Sequence, residues 1–203
     1  MKTQTIFIAL LIVVAVAVIF YSFLNSDEGY AADLLKERTA TEELMRSSDE
    51  SPFGEEKKKF KGLNYFAPDL SYRISAKLVE IENKKTVVLP TSDGEEKKYL
   101  EYAYAEFQLN GEPCKLLILE ITDGPYRGTL FLAFSDATSA NETYGAGRYL
   151  ELKKTPGASS ITLDFNKAYN PYCAYSDNYS CPFPPQENSL KTAIRAGEKK
   201  YHE

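Results

Sequence analysis

The chain opens with its longest apolar run, and the pattern of hydrophobic and polar positions changes twice after it. No charged residue occurs from Thr3 to Ser26, and the nineteen residues Ile6 to Leu24 are nearly all apolar. At a rise of 1.5 Å per residue such a run makes a helix of about 28 Å, close to the thickness of a hydrocarbon core. The pattern therefore predicts a transmembrane helix. The alternative is a cleaved signal peptide, whose apolar region is usually shorter.

The charges that flank this run predict its orientation. Lys2 is the side-chain cation on the short flank, whereas Asp27 and Glu28 follow the other end. Cations favour the cytoplasmic side, so the N-terminus is predicted to lie inside and the rest of the chain outside. The sequence thus predicts a single-pass protein of the cytoplasmic (inner) membrane, anchored by residues 6–24, with an extracytoplasmic C-terminal domain.

A second pattern, rich in Ala, Leu, Glu and Lys, covers Glu28 to Arg46 and predicts a short juxtamembrane helix. The turn-forming stretch Ser47 to Gly54 ends this helix. These changes in pattern divide the chain into a signal anchor at 1–26, a helix and linker at 27–59, and a β domain at 60–203.

Beyond the linker, apolar and polar residues alternate with the period of two that half-buried strands show. Asn110-Gly111 is the clearest local signal, because both residues tolerate the positive φ of a two-residue hairpin turn. That turn would pair Phe107 with Cys114. The strand-like segments are 72–81, 86–89, the hairpin arms 106–109 and 112–115, the apolar run 116–121 that continues the second arm, 129–134, 148–152 and 160–163. Such a series predicts a mainly β domain, an antiparallel β-barrel or sandwich of about seven strands, followed by an irregular Pro- and Asn-rich region.

The composition of the chain indicates which binding partners and catalytic residue sets are not expected. The net charge is -5, so the basic face of a nucleic-acid-binding protein is not expected. The chain has 15 Tyr, 11 Phe and no Trp, and the tyrosine ring with its hydroxyl suits both strands and pocket walls. The one histidine, His202, stands near the end of the sequence, so a Ser-His-Asp or Cys-His catalytic arrangement is not expected.

Two stretches have more polar chemistry than a turn requires. They are SDATSANETYGAGRYLEL, residues 135–152, and DFNKAYNPYC, residues 164–173. The planar guanidinium of Arg148 suits a carboxylate or phosphate ligand, and an internal ion pair with Asp136 or Asp164 is the alternative. We predict that the two stretches share a pocket for a small polar or anionic ligand. The candidate ligand-binding residues are Asp136, Asn141, Thr143, Tyr144, Arg148, Asp164, Asn166 and Asn170.

No cofactor is predicted from these stretches. The Gly-Ala-Gly at 145–147 lacks the third small residue and the strand–turn–helix context of a dinucleotide-binding fingerprint, and the Lys-Ser/Thr pair of a P-loop is missing. A hydrolase that uses Asp136 or Asp164, with Arg148 as electrophilic partner, is a second functional hypothesis. An interaction module of the cell envelope, with tyrosines as its partner surface, is a third.

Cys173 and Cys181 have seven residues between them. Outside the cytoplasm a disulfide is the expected state. Free thiols and a metal site are the alternatives, and a metal would need further ligands. Cys114, on the predicted hairpin, is expected to be a small buried residue.

Three long blocks resemble the family called domain of unknown function 1684. They are SPFGEEKKKFKGLNYFAPDLSYRISAKL at 51–78, the stretch at 135–152, and LDFNKAYNPYCAYSDNYSCPFPPQENSLKTAIRAGEK at 163–199. The resemblance covers roughly residues 33–199. As the family name says, it implies a domain and candidate positions, and no reaction.

Overall fold

The structure of the chain is a computed structural model that describes residues 2–202. It falls into two compact units, residues 1–40 and residues 41–203. All of the strands and all of the candidate ligand-binding residues lie in the second unit.

Helix α1 runs from Lys2 to Ser47. The segment Glu28 to Arg46 lies within it, so the helix predicted there is confirmed. Among the described residues, no helix combines the length and the apolar character that a membrane crossing requires. The predicted anchor, Ile6 to Leu24, falls mostly on positions whose side chains lie outside the described set.

The second unit is built around one antiparallel sheet of seven strands, which curls into a half-barrel. The strands are β1 Arg73–Glu80, β2 Thr86–Pro90, β3 Glu96–Leu109, β4 Glu112–Ile121, β5 Leu130–Phe134, β6 Arg148–Leu150 and β7 Ser160–Asp164. Their order across the sheet is β6-β5-β4-β3-β1-β7, and β2 pairs with β3 beside this path. The mainly β, antiparallel prediction and the number of strands are confirmed. The alternative of a sandwich is not confirmed, because the described strands form one sheet.

The hairpin between β3 and β4 has the predicted register. Asn110 and Gly111 have φ values of 53° and 80°, and Phe107 lies opposite Cys114. Positive φ at both central positions matches the twist of the flanking strands, so this turn sets the pairing of the two longest strands. Strand β3 is 14 residues long and shifts its register after Glu101. Such a bulge bends the sheet locally.

Strand β4 crosses the middle of the sheet and is buried on both faces. Leu116 and Ile118 belong to the main hydrophobic core, and Leu117 and Leu119 belong to a second cluster. All four side chains are at most 1% exposed. Because successive residues of a strand point to opposite faces, an apolar run at every position requires cover on both sides. This is the physical basis of the position of β4 inside the sheet, between β5 and β3.

Asn188 attaches the irregular C-terminal region to the sheet. Strands β4 and β5 share only two paired positions, 119 with 131 and 120 with 130. Two positions further along that register lies the buried side-chain amide of Asn188. Its oxygen accepts a hydrogen bond from Leu117 N at 2.7 Å, and its nitrogen donates to Leu117 O and Ala133 O at 2.9 and 2.8 Å. One side chain therefore bridges the two strands where their direct pairing has ended, and it satisfies backbone groups that would otherwise be buried without partners.

Candidate functional site

A buried polar network joins the loop before β6 to the C-terminal region. Arg148 is 1% exposed, and its Nη2 lies 2.9 Å from Asp136 Oδ2. Its other contacts are to the carbonyl oxygens of Ile194, Ala196 and Glu198. Four of the five N–H donors of the guanidinium thus serve protein acceptors. The remaining donor, Nε, has no hydrogen-bond partner among the described residues.

The Asp136 carboxylate completes this network. Its Oδ1 accepts hydrogen bonds from Thr138 N, from the Thr138 hydroxyl and from Ile194 N, at 2.8, 2.7 and 3.1 Å. Burial lowers the pKa of the Arg148 guanidinium, and the charge of Asp136 opposes that change. The internal ion pair, one of the two roles that the sequence suggests for Arg148, is therefore formed. An anionic ligand at Arg148 would have to displace contacts within the protein.

A second buried carboxylate, Glu198, extends the network. It is 2% exposed and accepts hydrogen bonds from Asn170 N and Nδ2, at 3.0 and 2.9 Å, and from the Tyr175 hydroxyl. Burial raises the pKa of Glu198 to about 7, while the hydrogen bonds from Tyr175 and Asn170 and the charge of Arg148 lower it. Burial also raises the pKa of Tyr175 well above its ordinary value. This carboxyl group therefore titrates near neutrality, a property that the sequence does not signal.

Three other predicted residues lie around the loop that precedes β6. Thr143 is buried, and its hydroxyl lies 2.9 Å from the Thr138 hydroxyl. The Tyr144 hydroxyl donates to the carbonyl oxygen of Cys173 at 3.5 Å. Asn141 is exposed. Thr143 thus supports the loop from inside, whereas the Asn141 side chain faces solvent.

The last two predicted residues belong to a separate cluster. Asn166 is 1% exposed, and its side-chain amide exchanges hydrogen bonds with the backbone of Asp69 at 2.9 and 2.7 Å. Asp164 Oδ2 lies 3.8 Å from Arg73 Nε. Asp164 and Arg73 also line a groove of about 400 Å³ together with Lys153. The structure thus brings Asp136, Thr143 and Arg148 together, and places Asp164 and Asn166 elsewhere.

A different opening in the β domain, of about 670 Å³, has five tyrosines among its fourteen lining residues. We call it the tyrosine cleft, because its lining includes Tyr126, Tyr149, Tyr169, Tyr172 and Tyr179. Among the described residues that line it, Glu151 is the sole charged side chain. The cleft therefore presents large rings, hydroxyl groups and one carboxylate.

Two pairs of rings give the tyrosine cleft its shape. The rings of Tyr149 and Tyr169 are 6.0 Å apart at 84°, and those of Tyr172 and Tyr179 are 5.1 Å apart at 76°. Tyr149, the middle residue of β6, exchanges backbone hydrogen bonds of 2.8 and 3.0 Å with Tyr169. Its hydroxyl donates to Pro182 O at 2.6 Å. Each pair forms a corner, and sheet-like pairing holds the first corner in place.

A disulfide closes the segment that forms one wall of the cleft. Cys173 and Cys181 are bonded at 2.06 Å, and Cys181 itself lies in the cleft lining. Cys114 is buried and free. Within the described part of the chain, no group of three His, Cys, Asp or Glu side chains is placed to hold a metal ion. The covalent link restrains the wall that contains Tyr172 and Tyr179.

The tyrosine cleft is not predictable from the sequence. Its rings come from the turn after β4, from β6 and from the C-terminal region, which are far apart along the chain. Two signals were available: the high tyrosine content and the dense run YNPYCAYSDNY at 169–179. Neither signal tells which of the 15 tyrosines meet in space.

Comparison with known proteins identifies a family. The model of the family described as Protein of unknown function (DUF1684) matches residues 58–199. None of the curated proteins matches the chain. The solution NMR structure of the uncharacterized protein from gene locus rrnAC0354 of Haloarcula marismortui is similar to it, with 39% identity and a TM-score of 0.65. That match covers 86% of this chain and 96% of the other. The family resemblance is confirmed, and the chain belongs to the DUF1684 family of proteins of unknown function.

Proposed function

We propose that the β domain binds a small organic ligand in the tyrosine cleft. The observation that supports this most directly is that five tyrosines from separate segments line one opening of about 670 Å³. Small-molecule sites commonly have this size, with mainly apolar or aromatic walls and few polar groups. Tyrosine rings supply apolar contact area, and their hydroxyl groups supply a polar rim.

Binding is favoured over hydrolysis by the positions of the acidic side chains. The hydrolase hypothesis uses Asp136 or Asp164 with Arg148 as electrophilic partner. Asp136 is 1% exposed at its side chain and paired with Arg148, and Asp164 lies beside Arg73 in another cluster. A substrate would have to displace a buried ion pair to reach the first carboxylate, which is costly. The cleft needs no such rearrangement.

The absence of tryptophan makes the binding proposal testable by fluorescence. Tyr126 lines the cleft and is 68% exposed, so Tyr126→Trp introduces a single reporter there at little cost to the fold. Full-length protein with this change is screened against a library of small amines, alcohols, sugars and carboxylates. We expect a saturable change in fluorescence with at least one compound class. Phe183→Trp is the matched control, because Phe183 is also exposed but does not belong to the cleft lining.

Two results together would overturn the binding proposal. The first is that no compound changes the fluorescence of the Tyr126→Trp protein. The second is that native mass spectrometry of the purified full-length protein detects no small molecule retained from the cell. A response of equal size in the Phe183→Trp control would assign the signal to the surrounding surface instead of the cleft.

We further propose that the domain works outside the cytoplasmic membrane, tethered by Ile6 to Leu24. The uncharged apolar run supports the tether. The bond between Cys173 and Cys181 supports an oxidising compartment, where disulfides persist. High-speed centrifugation tests the tether: the full-length protein should sediment with membranes until detergent is added, and a variant without residues 6–24 should not. Full-length protein that stays in the detergent-free supernatant would contradict the proposal.

A further inference from the structure

We propose that the ligand of the tyrosine cleft carries an organic cation, an amine or a quaternary ammonium group. This inference rests on the proposed binding function and adds the chemical class of the ligand. It is argued from the charge of the lining, from the arrangement of the rings and from the protonation state of the phenols.

The charge of the lining is negative. Glu151 is its sole charged side chain among the described residues. It follows Tyr149 by two positions, and both residues line the cleft. Glu151 is also close enough to Tyr169 that its charge adds to the effect of burial in raising the pKa of that phenol. A cation in the cleft would therefore meet a carboxylate beside the ring corner.

The rings of each pair meet edge to face, so ring faces of differing orientation border the cleft. Interplanar angles of 84° and 76° give two corners, whereas stacked rings would expose one flat face. The negative face of an aromatic ring attracts a cation within about 6 Å of its centroid, which is how aromatic cages recognise quaternary ammonium groups. The chain already uses this contact elsewhere, since Lys115 Nζ lies 3.8 Å from the centroid of the Tyr104 ring.

Three phenols of the cleft, those of Tyr149, Tyr169 and Tyr172, stay neutral at ordinary pH. Burial is the main cause of the raised pKa values of Tyr149, Tyr169 and Tyr172. The nearby charge of Glu50 adds to the rise at Tyr172. These three rings therefore act as neutral phenol faces, and the charged side chain of the cleft lining is a carboxylate. An anionic ligand would face both the carboxylate and the negative ring faces, and would be repelled.

Three probes of the same shape isolate the effect of charge. They are choline, the neutral alcohol in which carbon replaces the nitrogen of choline, and the tert-butylacetate anion. Each is titrated into full-length Tyr126→Trp protein. We expect choline to bind at least about fivefold more tightly than the alcohol, and the anion to bind most weakly. Glu151→Gln should lower the affinity for choline by about fivefold and leave that for the alcohol unchanged.

Asp123→Asn is the matched control for the loss of one negative charge. Asp123 is exposed in the turn after β4 and does not belong to the cleft lining. This change should leave the affinity for choline within about twofold of the parent value, because exposed charges outside the site are screened by solvent and salt. An equal loss in Asp123→Asn and Glu151→Gln would overturn the role of Glu151.

The remaining outcomes separate the inference from the binding proposal. Equal affinities for choline and the alcohol, or tighter binding of the anion, would overturn the inference while the cleft remains a binding site. If none of the three probes binds, the library screen decides, because a ligand without a cationic group would overturn the inference and an amine would support it. If no compound of any class binds, the binding proposal and the inference both fail.

Discussion

Glu198 makes the stability of the β domain depend on pH in the direction opposite to that of most carboxyl groups. Burial raises its pKa to about 7 in the folded protein, from an ordinary value of 4.5. A raised pKa means that the folded state holds the proton more tightly than the unfolded state does. The contribution of this group to stability is therefore complete below the unfolded value and is lost as the pH rises through the folded value. The gap between the two values corresponds to about 3 kcal/mol.

Glu198→Gln tests this reasoning, because it removes the titration and keeps the size of the side chain. The glutamine amide would turn an N–H group toward donors such as Asn170 Nδ2 or the Tyr175 hydroxyl, so the variant is expected to lose some stability at every pH. The informative quantity is therefore the slope of stability against pH. Urea unfolding of the full-length chain, followed by the near-ultraviolet circular dichroism of its tyrosines, measures that slope in the β domain.

Between about pH 4.5 and pH 8, the free energy of unfolding of the parent protein should fall by about 3 kcal/mol more than that of Glu198→Gln. Glu187→Gln is the matched control, since Glu187 is an exposed carboxyl in the same C-terminal region. The free energy of unfolding of Glu187→Gln, plotted against pH, should run parallel to that of the parent protein. Parallel curves for the parent and Glu198→Gln would refute the reasoning, because the titrating group would then lie elsewhere.

Three further changes test the ion pair, a tight turn and the disulfide. Arg148→Met leaves a buried carboxylate unpaired and should lower the free energy of unfolding by about 3 to 5 kcal/mol in thermal unfolding; an unchanged melting temperature would contradict the buried pair. Gly147→Ala should destabilise far more than Gly94→Ala: their φ values are +88° and +85°, but only the Cβ added at Gly147 meets a backbone oxygen, at 2.6 Å. Equal losses would contradict the clash. Reduction of the Cys173–Cys181 bond should cost about 2.5 kcal/mol and weaken ligand binding, and equal melting temperatures of oxidised and reduced protein would contradict this.

The strands could be predicted because their signals are local. The positive-φ pair Asn110-Gly111 determines a hairpin from two residues, and the apolar run of β4 indicates a strand covered on both faces. The full length of β3 was not predicted, because its first half, from Glu96, alternates charged residues with few apolar ones. That half is held by pairing with β2, a contact that depends on the sheet as a whole.

The candidate site was harder to predict, since its contacts are distant along the chain. Arg148 could be recognised as unusual from its neighbours, and both of its suggested roles were reasonable from sequence. Which of the two roles Arg148 has depends on the carbonyl oxygens of Ile194, Ala196 and Glu198, which are 46, 48 and 50 positions away along the chain. The tyrosine cleft also depends on contacts between distant parts of the chain, because its rings meet only where the C-terminal region packs across the sheet. Local chemistry identifies such residues, and tertiary packing decides what they face.

The bridging position of Asn188 has a consequence for biosynthesis. Its amide completes the hydrogen bonding between two strands that leave the ribosome far earlier, and residues 194–198 bring the carbonyl oxygens that accept hydrogen bonds from a buried guanidinium. A nascent chain that stops short of these residues has its central strands but lacks the groups that let them be buried together. Burial of these strands in the finished half-barrel therefore depends on side-chain and carbonyl groups of residues 188–198.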